Sequence, residues 1–350
     1  MFQTNKYIIS CLLLTIVVIA QTADAMRGQH HTTVNINVEE DDMLGTTFTS
    51  GNMLFTNPMG VNPNQILEFT TDGVSVQNYT TFLQNDTTKR CLPYDIAFLN
   101  PSILLLMDPQ QGIFYSSQKG NVKGIWANLA TNSGHIGCDL QALTVDQVNK
   151  RVYVSSTNIK CDTSHIPGVF VYDLTGTYIQ TLTNPAFNNV WDVAADSTGT
   201  IWVTDNDNIF LFHPDGTKEA IDPVDNKLGY SGIQVTPDDT ILVSVPAPGN
   251  DIIIVLDPST KQIVQTIDLV GNTTQTGELS GLPGSMAIDP STGRIVVEVP
   301  YASKAEGSSP SVDVVQFYSA KGNLKSSFGG HSCKEANALC FPIRGMVFIP

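Results

Sequence analysis

Positive charge is scarce in this chain and nowhere clustered: 18 Lys and Arg stand against 33 Asp and Glu over 350 residues, a formal charge of −15. Without a run of Lys or Arg there is little to displace counterions from phosphates, which makes nucleic acid and anionic membrane surfaces poor partners. Charge of either sign is sparse, at 15% of residues, while Gly and Pro number 27 and 19. That balance argues against helical bundles and coiled coils, whose sequences are rich in Ala, Glu, Lys, Leu and Arg. Long apolar runs are missing as well. Beyond residue 20 each is cut after five to seven residues by Asp, Pro, Gly or Asn, whereas a membrane-spanning helix needs about 20. There is no Gly-x-Ser-x-Gly elbow, His-Glu-x-x-His pair or Gly-x-x-x-x-Gly-Lys loop, so serine-hydrolase, zincin and nucleotide-hydrolase chemistry lack their usual local signals. What is present is an apolar fraction of 41%, enough at this length for one large or two ordinary domains.

The chain begins with Lys6, an apolar run over residues 7–20, and then Ala23-Asp24-Ala25, the order of a charged n-region, an h-region and a small-x-small cleavage site. Residues 1–25 are therefore read as a signal peptide cut after Ala25. Residues 26–51, with Glu39-Glu40-Asp41-Asp42, are read as an acidic N-terminal arm or, at 33–38, an extra outer strand. Residues 52–350 form the folded domain. The mature protein is expected to be secreted or extracellular, soluble and monomeric. Sequons at Asn78, Asn85 and Asn272 fit that compartment as glycosylation sites. Once Cys11 leaves with the leader, Cys91, Cys138, Cys161, Cys333 and Cys340 remain, an odd number in an oxidising compartment.

Residues 190–221 read as short β-branched or aromatic runs broken by Ser-Thr-Gly, Asn-Asp-Asn and Pro-Asp-Gly, which is the pattern of strands joined by tight turns. The same phrase returns at residues 92–107, 139–155, 231–245 and 283–299, and its first strand alone at 341–350. Taking Asn100, Asp146, Asp196, Asp238, Asp289 and Pro350 as equivalent ends gives intervals of 46, 50, 42, 51 and 61 residues. This is the period of a four-stranded propeller blade. A lone strand at the C-terminus would be an unmanaged edge, and its partners are legible at 52–56, 65–70 and 74–79. The expected fold is all-β, a six-bladed β-propeller of four-stranded antiparallel blades. The C-terminal strand would close the ring by joining the N-terminal blade, unless residues 26–51 supply most of a seventh.

The phrase of an apolar strand ending in Asp, then Thr-Gly, then a strand ending Val-Thr-Asp, then Pro-Asp-Gly resembles the NHL-repeat and gluconolactonase-like group of six-bladed β-propellers over residues 52–350. Such folds host lactonases, lyases, synthases and binding modules, so the resemblance implies an architecture more than an activity.

Aligning the starts of the inner strands brings Tyr94 and Asp95, Gln141 and Ala142, Trp191 and Asp192, Ser231 and Gly232, Gly284 and Ser285, and Arg344 and Gly345 to one mouth of the channel. Tyr94, Gln141, Trp191, Ser231 and Arg344, with Asp95 and Asp192 nearby, could grip a polar or anionic small molecule. Alternatively the two Asp residues bond neighbouring backbone and the aromatics plug the channel. Gluconolactonase-like relatives hold a divalent metal here with Glu, Asn and Asp; the matched positions are Arg344, Gln141, Trp191 and Ser231, and an Arg repels a cation. A fainter resemblance, through Cys91-Leu92-Pro93-Tyr94-Asp95-Ile96-Ala97, is to the NHL-type peptidylamidoglycolate lyase domain, which uses His-held zinc and a calcium ion. Candidate ligands on that reading are His135, His165 and His331, each near a cysteine, with Asp95 and Asp192. The blade geometry suggests Cys138–Cys161 and Cys333–Cys340 as disulfides, with Cys91 left as a buried thiol. Asp205-Asn206-Asp207-Asn208 lacks the Gly and Glu of a calcium loop and reads as a turn. Two functions follow. One is a secreted module with no cofactor, binding a small polar molecule or extracellular protein through its mouth and long loops. The other is a lyase or lactonase assisted by Ca or Zn.

Overall fold

One device makes the recurrent turn. An Asp at or just past the end of an inner strand accepts backbone N–H groups from the residues that follow, as Asp196 Oδ1 does from Thr198 and Thr200, both at 3.0 Å. Gly199 between them takes φ of 85°, a left-handed conformation that Cβ-bearing residues resist. Asp146 binds the N–H groups of Val148 and Asn149 likewise, and Asp289 that of Ser291. Each such turn reverses the chain into the next strand.

The computed structural model describes residues 47–350 except 57, 59–63, 84–85, 110, 118–121, 128–139, 158–166, 225–228, 247–250, 270–284, 302–311, 330–342 and 344. Among the described residues there are only strands, turns and bends, and no helix long and apolar enough to cross a membrane.

The strands form six sheets. Blade 1 runs Met346–Phe348, Met53–Thr56, Gln65–Phe69 and Ser75–Thr80 from the ring centre outward. Blade 2 runs Asp95–Asn100, Ile103–Asp108, Gly112–Ser117 and Val122–Ala127, and two further strands, Phe82–Leu83 and Asp86–Arg90, extend its edge. Phe82–Leu83 lies parallel to the fourth strand; these two strands were not foreseen. Blade 3 is Leu140–Asp146, Arg151–Ser156, Gly168–Asp173 and Tyr178–Leu182; blade 4 is Val190–Ala195, Ile201–Asp205, Ile209–Phe212 and Lys218–Ile221. Blade 5 is Ile233–Val235, Ile241–Val245, Ile252–Leu256 and Ile263–Asp268; blade 6 is Met286–Ile288, Ile295–Tyr301, Val312–Tyr318 and Leu324–Gly329. Each inner strand touches the inner strands on both sides, Met346–Phe348 meeting both Met286–Ile288 and Asp95–Asn100. The ring is therefore a closed six-bladed β-propeller.

Burial explains the layering. The second strands are buried on both faces, as Ile103–Asp108 and Ile241–Val245 are throughout, because each blade is sandwiched by two others. Apolar clusters fill the gaps: Tyr153, Val171, Val193 and Phe210 between blades 3 and 4, and Trp202, Leu211, Val243 and Ile254 between blades 4 and 5. Outer strands such as Ile263–Asp268 are mostly exposed. Phe48, assigned by sequence to the arm, is buried edge-on to Tyr79 with ring centroids 4.7 Å apart.

Candidate functional site

Near the start of each of four inner strands a backbone N–H meets a side-chain oxygen of the second strand. Thr56 Oγ1 accepts from Gly345 N (2.7 Å) and donates to Tyr94 O of blade 2 (2.9 Å). Ser155 Oγ accepts from Ala142 N and donates to Trp191 O, both at 2.9 Å. Thr204 Oγ1 accepts from Asp192 N (3.1 Å) and donates to Ser231 O. In blade 6 the residue is Glu298, fully buried, whose oxygens accept from Ser285 N (3.3 Å) and from Ile343 N (3.0 Å). These links fix each inner strand against the next blade and so set the channel wall.

Asp95 and Asp192 complete the lattice. Asp95 accepts from Ile96 N (2.8 Å) and from Leu143 N of blade 3 (2.6 Å). Asp192 accepts from Val193 N (2.7 Å) and from Ile233 N of blade 5 (2.9 Å). Space around Asp95 is tight: a Cβ on Gly345 would stand 2.6 Å from its Oδ1 and 2.8 Å from its Cα. Asp192 is half-buried and opens on the channel. Desolvation by the surrounding wall pushes its carboxyl up to about 7, against the lowering effect of the Ile233 and Val193 N–H groups. It therefore changes charge near neutrality.

A cavity of about 580 Å³ follows the channel, and Asp95, Gln141, Trp191, Asp192 and Ser231 all line it. Five of the residues inferred from the repeat alignment thus share one space. Tyr94 is half-buried and not part of the lining; its N–H donates to Met107 O (2.8 Å). Arg344, His135, His165 and His331 lie outside the described residues, as do Cys138, Cys161, Cys333, Cys340, Asn85 and Asn272. Asn78 sits in the outer strand of blade 1, and Cys91 is a buried free thiol, pushed well above its ordinary value by burial and then by the charge of Asp108.

Two features of the mouth were not inferred from sequence. The pairing of the inner strands of blades 3 and 4 slips at Leu140/Leu143 and Val190/Asp192, so Gln141 and Trp191 lie in bulges, which re-aim side chains. Asn206 Oδ1 accepts the indole N–H of Trp191 at 2.7 Å and fixes that ring. Farther along the channel Phe98, Val145, Ile288, Val347 and Phe348 add apolar surface beside Thr144 and Gln234.

A divalent metal of the kind the gluconolactonase-like resemblance implies does not fit the described donors. Gln141, Trp191 and Ser231 stand at the matched positions, and both carboxylates are already turned to backbone N–H groups. Among the described residues no three His, Cys, Asp or Glu side chains are grouped to hold a metal.

No family model and no curated protein matches this sequence. Among solved structures, a protein of unknown function from Bacteroides caccae is similar at 12% identity and a TM-score of 0.55, over 85% of this chain and 98% of that one. The likeness is one of fold. The extracellular domain of a hybrid two component system from B. thetaiotaomicron matches at 12% identity and a TM-score of 0.50, over 85% of this chain and 36% of that one. A streptogramin B lyase matches at 14% identity and a TM-score of 0.47, over 71% of this chain and 70% of that one.

Proposed function

We propose that this protein is a secreted binding module of the NHL-repeat and gluconolactonase-like kind that holds a small polar ligand in its central channel. The observation that carries this reading is the gathering of Gln141, Trp191, Asp192 and Ser231 with Asp95 around one cavity of about 580 Å³, within the usual size of ligand pockets. The leader and sequons support secretion. Backbone N–H groups hold Asp95 and Asp192, and Asn206 holds the Trp191 indole, so these groups are oriented before a ligand arrives and their ordering costs binding little.

The test is a thermal-shift screen of a metabolite library against the natively secreted protein, with and without EDTA. Compounds are expected to raise the melting temperature of the parent by several degrees, to lose that effect in Trp191→Ala, and to keep it in EDTA. Library compounds that stabilise parent and variant equally would remove the channel from the reading. Loss of every shift in EDTA would favour a Ca- or Zn-dependent site instead.

A further inference from the structure

Asp205-Asn206-Asp207-Asn208, a turn by sequence, also serves the channel. We infer that it sets the Trp191 indole as a platform on which a flat nitrogen heteroaromatic ring stacks, with an N–H at the edge of that ring bonded to Asp192. This rests on the channel-binding reading above and names its ligand class.

The platform is held from several sides. Asn206 Oδ1 accepts the indole N–H at 2.7 Å. Asp205, fully buried, accepts the N–H groups of Asn188 and Asn189 at 2.8 and 3.0 Å and so holds the segment that leads into Trp191. Behind Asn206 stands Gly229, at φ of 91°. A Cβ there would come 2.6 Å from Asn206 O and 3.0 Å from its Cα, so backbone lies directly on backbone. The next residue, Tyr230, donates its N–H to Asp205 O at 3.2 Å. The indole is therefore tied at its ring as well as at its strand, and Asn206 is a positioning residue that acts through it.

Neighbours along a strand point to opposite faces of the sheet, yet Trp191 and Asp192 both line the cavity. The bulge at Val190/Asp192 accounts for this, because the extra residue, Trp191, escapes the alternation. Two consecutive side chains thus present different chemistry to one ligand. With its N–H directed at Asn206, the half-buried indole offers the channel carbon surface instead of a donor. Each Asp192 oxygen takes one backbone N–H, from Val193 and from Ile233, whereas a carboxylate has about four acceptor positions. Those bonds fix the group and leave room for a ligand donor.

The two neighbours together select the ligand. A hydrocarbon ring would cover the indole but give Asp192 no donor. A puckered ring with an N–H would satisfy Asp192 but bring few of its atoms into contact with the plane of the indole, forgoing the stacking attraction. A flat ring with an N–H at its edge serves both.

The experiment is titration calorimetry on the full secreted protein at pH 8 with three uncharged probes: 2-quinolone, its N-methyl derivative, and the saturated lactam octahydroquinolin-2(1H)-one. Binding of 2-quinolone is expected, with the N-methyl and the saturated compounds each about tenfold or more weaker. This comparison needs no variant. Trp191→Ala should bring 2-quinolone and the saturated lactam to equal affinity, and Trp191→Phe should keep part of the preference. Asn206→Ala should reduce the preference while leaving the affinity of the saturated lactam unchanged, a split that a merely structural role would not produce. Equal weakening of all three probes in Asn206→Ala overturns the positioning role, and equal binding of the N-methyl derivative to the parent overturns the bond to Asp192. Equal binding of the flat and saturated lactams to the parent, or library compounds without a flat ring that stabilise through Trp191, overturns the ring assignment and leaves the channel site standing. Absence of binding by all three probes overturns the ring assignment as well; only a library screen without any compound that stabilises through Trp191 would remove the channel site with it.

Discussion

Two aspartates show how the same side chain is driven in opposite directions by its surroundings. Burial alone would raise the carboxyl of Asp289, but the Ser291 and Thr292 hydroxyls, the Ser291 N–H and the Arg294 guanidinium outweigh it and bring the group down to about 2. A pKa held below its unfolded value adds stability above about pH 4, and that stability is lost as pH falls toward 2. Asp289→Ala should therefore cost about 1–2 kcal/mol at pH 6 in urea unfolding, with the gap to the parent narrowing between pH 4 and 2. Asp192 has the reverse linkage. Its folded pKa of about 7 lies above the unfolded value, so the folded state loses stability as pH rises from about 4 to 7. In Asp192→Asn this penalty is absent: the stability of the variant relative to the parent should climb over that interval and level off above it. The climb should span about 1–2 kcal/mol after allowance for channel water, and it starts from a deficit, because the single carboxamide oxygen leaves the Val193 or the Ile233 N–H without an acceptor. A difference that grows over this interval would mark Asp192 as a carboxyl kept in place against the cost of its own desolvation. A pH-independent difference would remove that interpretation.

Individual strands are held at their inner ends by the row of side-chain oxygens opposite the channel-facing residues. Thr204→Val keeps the shape of the side chain but deprives Asp192 N of its acceptor and Ser231 O of its donor. The expected cost is about 1–3 kcal/mol, since both groups are left unsatisfied in a buried place; an unchanged urea midpoint would show that the lattice does not bear on stability. At this scale the sequence was informative in one respect and silent in another. The inner strands were legible to within a few residues because polar turns such as Asp196-Ser197-Thr198-Gly199 punctuate them: residues 190–196 were read as the strand that runs Val190–Ala195. The convergence of Gln141, Trp191 and Ser231 followed from aligning those phrases. Bulges left no such mark, because the slip at Val190/Asp192 depends on how Val190 and Asp192 pair with a neighbouring strand. Glu298 was hidden for a related reason: within Ile295–Tyr301 it looks like one polar residue of an ordinary strand. Its partner Ile343 lies 45 residues on. The additional strands of blade 2, Phe82–Leu83 and Asp86–Arg90, are too short and polar to stand out from loop.

The ring as a whole depends on its last few residues. Met346, Val347 and Phe348 pair with Phe55, Leu54 and Met53, and Ile349 exchanges hydrogen bonds with Gly51 and Asn52 at 3.0 and 2.9 Å. The same residues fill two separate interfaces. Met346 and Phe348 pack with Phe55, Val296 and Phe317 between blades 1 and 6, while Ile349 packs with Leu54, Ile66 and Leu104 between blades 1 and 2. Burying three such side chains contributes about 5–8 kcal/mol, comparable with the entire stability of many folded proteins, about 5–15 kcal/mol. Removal of residues 346–350 would also leave Met53–Thr56 as a bare apolar edge, an invitation to intermolecular pairing. The truncated chain is expected to be secreted poorly and to run as aggregate in size exclusion. Removing the outer strand of blade 4, Lys218–Ile221, should leave a monomer with a lowered melting temperature, since its Lys218 is exposed and its Glu219 and Ile221 only half-buried. A shortened chain ending at Gly345 that stayed monomeric and melted within a few degrees of the parent would mean that the ring holds without its closing strand. Stability would then have to reside in the blade-to-blade clusters alone, and the channel wall, one sixth of which that strand forms, would be open on one side.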